Sequence, residues 1–421
     1  MSHKVKAPEK ELFYVYSSTF AKIQTMFSAI KQKLQNDPVY NLQFILMCLS
    51  TLLFSASFNM MIPELPAYLT SLGGAEYKGF IIALFTLTAG ISRPFSGKLT
   101  DKVGRVPIMA VGSIVCFVCG ILYPILSSVA GFLFLRLIHG FSTGFKPTAT
   151  AAYIADIIPR ERWGEALGLH GICFSIGMAI GPAMGSTITL YSSINTMFFT
   201  SSFLALMSIV ILFNMKETLK NKHKFTLSLL KISKQDIYAK EALPSALITF
   251  LSYVAYGAIL TLIPDWTEHL GFQNKGVFFI VFTIASMLVR FFAGKISDQK
   301  GRVLVIKFGL MLLILALILL ATIQSKTGLI IGGAMYGIST GILSPALNAW
   351  TIDFSQPNER GKAMATMYIA MEAGIGLGAL CAGWYFQDYI DRVPMVIYIS
   401  AFICFIGTIY MLKFKNQPQS I

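Results

Sequence analysis

The chain is written as long oily runs parted by short polar ones, and the length of those runs limits what it can fold into. About twelve stretches stay mostly apolar for roughly 20 residues, the length that carries an α-helix across a bilayer. They fall near 42–69, 78–97, 106–126, 129–155, 164–190, 194–214, 243–265, 275–295, 303–323, 327–353, 362–386 and 393–413. Lipid offers no partner to backbone N–H and C=O groups, so such a stretch must be a helix or a strand of a closed barrel. The period-2 alternation of barrel strands is missing. The expected fold class is an all-α membrane protein with 12 transmembrane helices. Composition agrees: 55% of the 421 residues are hydrophobic and 13% charged, where soluble domains carry about 25% charge.

The first 40 residues are polar and lysine-bearing and lack the short apolar core of a cleavable signal, so the first run is expected to direct insertion. Within them Phe13, Tyr16, Phe20, Ile23, Phe27, Ile30 and Leu34 step by three and four, with Lys22, Lys31 and Lys33 off the stripe. That spacing predicts an amphipathic helix on the cytoplasmic membrane surface within residues 1–40, with packing on the bundle or a partner site as the alternative.

The net charge is +14. In a soluble protein it would suggest nucleic acid. Here it sits in alternate loops: Lys98, Lys102 and Arg105 in one, Arg160 and Arg162 in another, and Lys216, Lys220, Lys222, Lys224, Lys231, Lys234 and Lys240 in a long middle segment. Loops 127–128 and 191–193 have none. This asymmetry predicts an inner-membrane, multi-pass protein with both termini and the middle loop cytoplasmic, and no nucleic-acid partner. Cys48, Cys116, Cys119, Cys173, Cys381 and Cys404 all lie inside apolar runs, where packing is the expected role rather than metal or redox chemistry.

Two short phrases, "GKLTDKVGR" (97–105) and "GKISDQKGR" (294–302), show how the runs are organised. A shift of 197 carries Arg93 to Arg290, Gly97 to Gly294, Lys98 to Lys295, Asp101 to Asp298, Gly104 to Gly301, Arg105 to Arg302 and Asp156 to Asp353. It also carries Gly140, Ser142, Thr143 and Gly144 to Gly337, Ser339, Thr340 and Gly341. The chain is therefore expected to hold two pseudo-symmetric six-helix bundles, 41–214 and 243–414, joined by a cytoplasmic linker at 215–242 and ending in a tail at 415–421. Internal repeats of spanning helices mark secondary transporters.

The doubled phrase, between runs 2 and 3 and again between runs 8 and 9, resembles the signature loop of the major facilitator superfamily. "RLIHGFSTG" (136–144) resembles its fourth-helix motif, and "GMAIGPAMG" (177–185) the fifth-helix motif of its proton-coupled drug antiporters. "PELP" (63–66) fits the end of the first helix in that branch. The resemblance covers the chain from about residue 40 onward. It implies the major facilitator fold, with two bundles rocking about a central cavity that opens to each side in turn. It also implies that Asp101 bonds across to the start of the eleventh helix, closing the cytoplasmic side, and that runs 1, 4, 7 and 10 line the cavity.

Read residue by residue, Gly97, Gly104, Gly294 and Gly301 permit tight turns. Asp101 precedes a helix, where a carboxylate suits the exposed N–H groups. Arg93 and Arg105 are placed to hold that carboxylate, and Asp298 and Arg302 repeat the arrangement, although Gln299 and Lys300 depart from the family pattern. Gly177, Gly181 and Gly185 recur every four residues beside Pro182, which predicts a close, bendable seam with the opposite half. Charges within spans are functional candidates by default. Here they are Glu64, Arg136, His139, Lys146 and Glu372, the candidates for proton coupling. Asp265 reads as interfacial. A rise of about 1.5 Å per residue sets Lys146 and Glu372 each about 15 Å from the cytoplasmic side, on opposite halves, as a possible pair. Asn59, Tyr153, Tyr253, Tyr256, Trp266, Asn348 and Trp350 are substrate-cavity candidates.

The function expected is proton-coupled efflux of a small organic molecule by a monomer in the bilayer. No metal site and no cofactor are expected and, as GxxxxGK[ST] is missing, ATP is not the expected energy source. The alternatives are export of an endogenous metallophore or other anionic metabolite, a proton-coupled nutrient importer, and a membrane enzyme. The last is disfavoured because HExxH and clustered His/Asp motifs are missing.

Overall fold

A computed structural model describes residues 41–159, 162–220, 222–231, 239–355 and 360–415. The amphipathic stripe expected within residues 1–40 and the tail beyond Lys415 lie outside them.

The described residues form α1 (Leu42–Met61), α2 (Leu65–Ser71), α3 (Lys78–Lys102), α4 (Arg105–Leu122), α5 (Val129–His139), α6 (Phe141–Ile157), α7 (Trp163–Tyr191) and α8 (Ile194–Phe213), then α9 (Leu243–His269), α10 (Val277–Lys300), α11 (Arg302–Thr322), α12 (Lys326–Phe354), α13 (Arg360–Phe386) and α14 (Val393–Met411). Local chemistry sets several starts. The side chains of Asn41, Ser128, Ser193 and Ser325 each accept from a backbone N–H in the first turn of the helix that follows.

Among the described residues ten helices are long and apolar enough to cross a membrane: α1, α3, α4, α7, α8, α9, α11, α12, α13 and α14. The other two expected runs look different. The run at 129–155 is two helices, α5 and α6, parted at Gly140, which sits directly against the Phe85 carbonyl of α3 where a side chain would collide. The run at 275–295 is α10, apolar over Val277–Arg290 and charged beyond.

Packing repeats the sequence duplication. α1 packs on α7 as α9 packs on α13. α1 meets α8 as α9 meets α14, and α4 meets α6 as α11 meets α12. The halves touch along two seams, α3 with α13 and α7 with α10, each the repeat image of the other.

The doubled loops keep the register in three dimensions. Gly104 and Gly301 have φ of +144° and +91°, a region that favours glycine. Arg105 Nε donates to Asp156 Oδ2 at 3.0 Å, and Arg302 Nε to Asp353 Oδ2 at 3.3 Å. The expected cap is corrected. Asp101 lies inside the last turn of α3 and bonds Arg105 at 3.1 Å. The carboxylate at the start of α4 is Glu217 of the linker, which accepts from the Arg105 and Val106 backbone N–H groups at 3.1 and 3.0 Å. Asp101 faces out of the helix that ends beside it, so it cannot reach those donors.

The linker straps this end of the first half. His223 N–H donates to the Lys102 carbonyl, Lys98 Nζ donates to that of Lys231, and Thr218 donates to Asp156. The cap and strap make a prediction. Glu217→Ala should cost about 1 kcal/mol of stability, as for a lost N-terminal cap, seen as a lower thermal midpoint in detergent. Asp101→Ala, removing an exposed i,i+4 pair, should cost under about 0.5 kcal/mol.

Candidate functional site

The end carrying the doubled loops is here called the basic end, and the other the far end. The cross-half polar contacts among the described residues run from the far end to mid-helix. They fall into two layers, about 22 Å apart along the fifteen residues of α3 that join them.

The far layer centres on Lys78, at the first residue of α3. Its ammonium is buried, donates to Asp265 at 2.7 Å and pairs also with Asp388, which follows α13. It lies over the Phe386 ring at 5.3 Å. Gly79 and Gly383 bring the α3 and α13 backbones into direct contact beside it. On the other seam, Asn274 donates to the Ala183 carbonyl and to Thr187. Asp265, expected as an interfacial charge, is thus a cross-half partner. Sequence reasoning passed over Lys78, yet the shift of 197 carries it to Lys275, a second buried lysine, paired with Glu268 at 2.8 Å.

The middle layer centres on Arg93 of α3 and Glu372 near the midpoint of α13. Arg93 Nη2 donates to Glu372 Oε1 at 2.5 Å, with both side chains mostly buried. The guanidinium also lies over the Tyr368 ring at 5.2 Å, while its Nε is buried without a partner. Tyr253 of α9 lies near enough to Glu372 and Arg290 to feel their charges, and meets Tyr256 edge-on with ring centroids 5.8 Å apart. On the second seam Arg290 Nη1 reaches Ser175 Oγ at 3.5 Å.

Several expectations change against this geometry. Glu372 pairs with Arg93, not Lys146, and Arg93 therefore does not hold Asp101. Lys146 is fully within the first bundle, donating to the hydroxyls of Ser50, Ser113 and Ser208 at 2.8, 2.9 and 2.5 Å, above the Phe54 ring. Its azimuth, not its depth, removes it from the inter-half space. Arg136 donates to the Ile81 carbonyl at 2.7 Å and lies over Phe85 at 4.6 Å. His139 sits between Tyr123 and Cys116, 3.3 Å from each. Glu64, buried at the break between α1 and α2, accepts from Ser186 of α7 at 2.6 Å.

The glycine seam is also corrected. Gly177, Gly181 and Gly185 press on Ser55, Ala56 and Met60 of α1, within the same half. The opposite half is met by the other face of α7, where the Pro182 carbonyl touches Gly276. Small residues mark a close approach without saying to which neighbour. The cytoplasmic clasp expected of Asp101 is not made here, since that side chain is 69% exposed. The side chain of Asp298 lies outside the described residues.

Among the cavity candidates, Tyr253 and Tyr256 join the middle layer. Tyr153 does not: it is fully buried in the first bundle, its hydroxyl donating to Gln43 and to the Lys216 carbonyl. Trp350 is packed on Phe354 and Phe414, and Trp266 stacks on His269. Asn59 is buried and donates to the Ser55 carbonyl, while Asn348 is half-buried.

Two repeated bundles meeting over buried ion pairs define a class, and the comparisons agree with it. The family model for the Major Facilitator Superfamily matches residues 47–324 and 245–420, and the chain belongs to that family. It is a multi-pass membrane transporter, not an enzyme. The multi-drug resistance efflux pump PmrA homolog of Lactococcus lactis subsp. lactis (strain IL1403) is 26% identical over 363 residues, covering 83% of this chain and 89% of that one. The staphylopine export protein of Staphylococcus aureus (strain Mu50) is 24% identical over 355 residues, covering 81% and 88%. The solved inward-open xylose transporter XylE from E. coli superposes with TM-score 0.72 at 15% identity, over 90% of this chain and 97% of that one. At that identity it speaks to the fold alone.

The far layer predicts a gate. With Lys78→Gln, Asp265 and Asp388 lose their shared cation and repel. A cysteine replacing Ala379, buried in the α3–α13 seam, should then react with an impermeant maleimide at least several-fold faster than in the Lys78 background. Equal rates would show that the apolar contacts alone hold the seam.

Proposed function

We propose that the protein is a proton-coupled exporter of small organic molecules working by alternating access. Twelve spans are reached by adding α10, and α5 with α6 as one broken span, to the ten long apolar helices. The basic loops place the basic end and both termini in the cytoplasm. The far end, where Lys78 closes the seam, is then the outer one, and the conformation is inward-facing. In the outward-facing state Asp101 is free to take the role the family motif assigns it.

The observation that carries the reading is the Arg93–Glu372 pair, a carboxylate at mid-membrane whose countercharge among the described residues belongs to the other half. An ionised acid there is costly without that partner. Protonation removes the attraction across the α3–α13 seam, and deprotonation restores it. Proton occupancy of Glu372 is thereby linked to how the halves meet. Direction is supported by the efflux and export relatives at 26% and 24% identity. Glu64, bonded only to a serine hydroxyl within its own half, is the weaker coupling candidate.

In proteoliposomes free of ATP, an imposed pH gradient should drive transport of an amphipathic dye such as rhodamine B, and a protonophore should stop it. Glu372→Gln keeps the shape and removes titration. It should abolish the response to the gradient while leaving downhill dye exchange, whereas Glu64→Gln should keep the response. A Glu372→Gln protein driven by the gradient as well as the parent overturns the role of Glu372. Uphill accumulation of dye by the parent that persists after the gradient is dissipated overturns proton coupling.

A further inference from the structure

The duplication makes a comparison possible inside one molecule. The shift of 197 that carries Arg93 to Arg290 also carries Ser175 to Glu372. The contacts follow: Arg93 reaches Glu372 across one seam, and Arg290 reaches Ser175 across the other. The two sites are images of one another, except that one arginine has a carboxylate and its twin has a hydroxyl at 3.5 Å. Arg93 is mostly buried and neutralised. Arg290 is exposed, and among the described residues no acid pairs with it. An arginine has five donors in a fixed fork and does not shed its proton. Most of that fork is unused.

The surroundings of Arg290 set the rest of the ligand. Towards the far end, α7 and α10 leave an apolar groove of about 700 Å³ lined by Ile176, Ala179, Ile180, Ala183, Ile280 and Ile284. Met287, also in its lining, is three residues before Arg290, and Ile176 follows Ser175 directly. Towards the interior, the charge of Arg290 is felt by the buried Tyr253 and Tyr256 of α9. A cation with an open fork, beside an apolar groove and near a buried hydroxyl, suits a molecule with an apolar body and one anionic group.

We propose that Arg290 is the anion-recognition residue of the transport site, taking the carboxylate or phosphate of an amphipathic organic anion whose apolar body lies along the α7–α10 groove. This rests on the export reading for its purpose but not for its test, because binding needs neither a gradient nor a direction. Ser175 is the position that keeps the site vacant. An acid there would repeat the Glu372 arrangement and fill the fork from within. A membrane phospholipid offers the same chemistry, but Arg290 reaches the hydroxyl of Ser175, which is buried in the seam between the halves, so cargo is the proposed source.

The test uses the full-length protein in lipid-free detergent and two dyes with one skeleton, 11-(dansylamino)undecanoic acid and its methyl ester, which differ by a single carboxylate. Binding is read by fluorescence anisotropy. The parent should prefer the free acid by about tenfold, the weight of one charge-assisted hydrogen bond. Arg290→Ala and Ser175→Glu should each erase the preference without weakening binding of the ester, and Arg290→Lys should restore part of it. Retained ester binding also shows that the variants are folded. No preference in the parent, or a preference that survives both Arg290→Ala and Ser175→Glu, overturns the proposal. If one phosphatidylglycerol per protein abolishes the preference, the fork is a lipid site and the cargo assignment fails. If Arg290 passes this test while the gradient has no effect on transport, anion recognition stands and proton coupling falls.

Discussion

The structure turns on one ion pair at mid-membrane. Arg93 and Glu372 belong to opposite bundles and meet at 2.5 Å with both side chains mostly buried. A buried pair adds little net stability, because desolvating both ions offsets their attraction, but losing one partner is expensive. The pair therefore restricts how the halves may sit rather than gluing them together. Around it the α3–α13 seam is built for close approach: Gly90 lies against the Glu372 side chain, and Gly79 and Gly383 let the backbones touch at the far end. The Lys78 cluster repeats the device at the end of the same helix, so a single rigid element carries both cross-half charges.

Duplication supplied this architecture, and its breakage supplied the chemistry. Where the repeat is kept, as in Arg105–Asp156 and Arg302–Asp353, the contacts are structural and brace each loop against its own bundle. Where it is broken, as at Ser175 against Glu372 or Glu268–Lys275 against Lys78–Asp265, the two halves differ in charge. A symmetric pair of seams would respond alike to a proton. Among the described residues that bridge the halves at mid-helix, one seam carries a carboxylate, Glu372, where the other carries the Ser175 hydroxyl.

Charged and polar groups inside the first bundle show the limit of treating every embedded charge as functional. Lys146 is held by three serine hydroxyls from α1, α4 and α8, and Arg136 by a backbone carbonyl and a ring. Their partners are neutral and lie within one half, so they brace that bundle internally. What separates them from Arg93 is direction around the helix, which depth along the chain does not encode.

The sequence by itself determined the membrane, the helices and the duplication. Run length and lipid's lack of hydrogen-bonding partners leave few options, and a repeat register is readable without coordinates. It also marked Glu372 as the acid nearest mid-membrane, and Gly104 and Gly301 as turn positions. Only the tertiary structure decided partners. Glu372 went to Arg93 instead of Lys146, the α7 glycines to α1 instead of the other half, and the α4 cap to Glu217 from 112 residues away instead of Asp101. The physical reason is common to all three. Propensity and periodicity are local along the chain, whereas a pairing depends on which face of one helix meets which face of another, and that is set when the bundles pack.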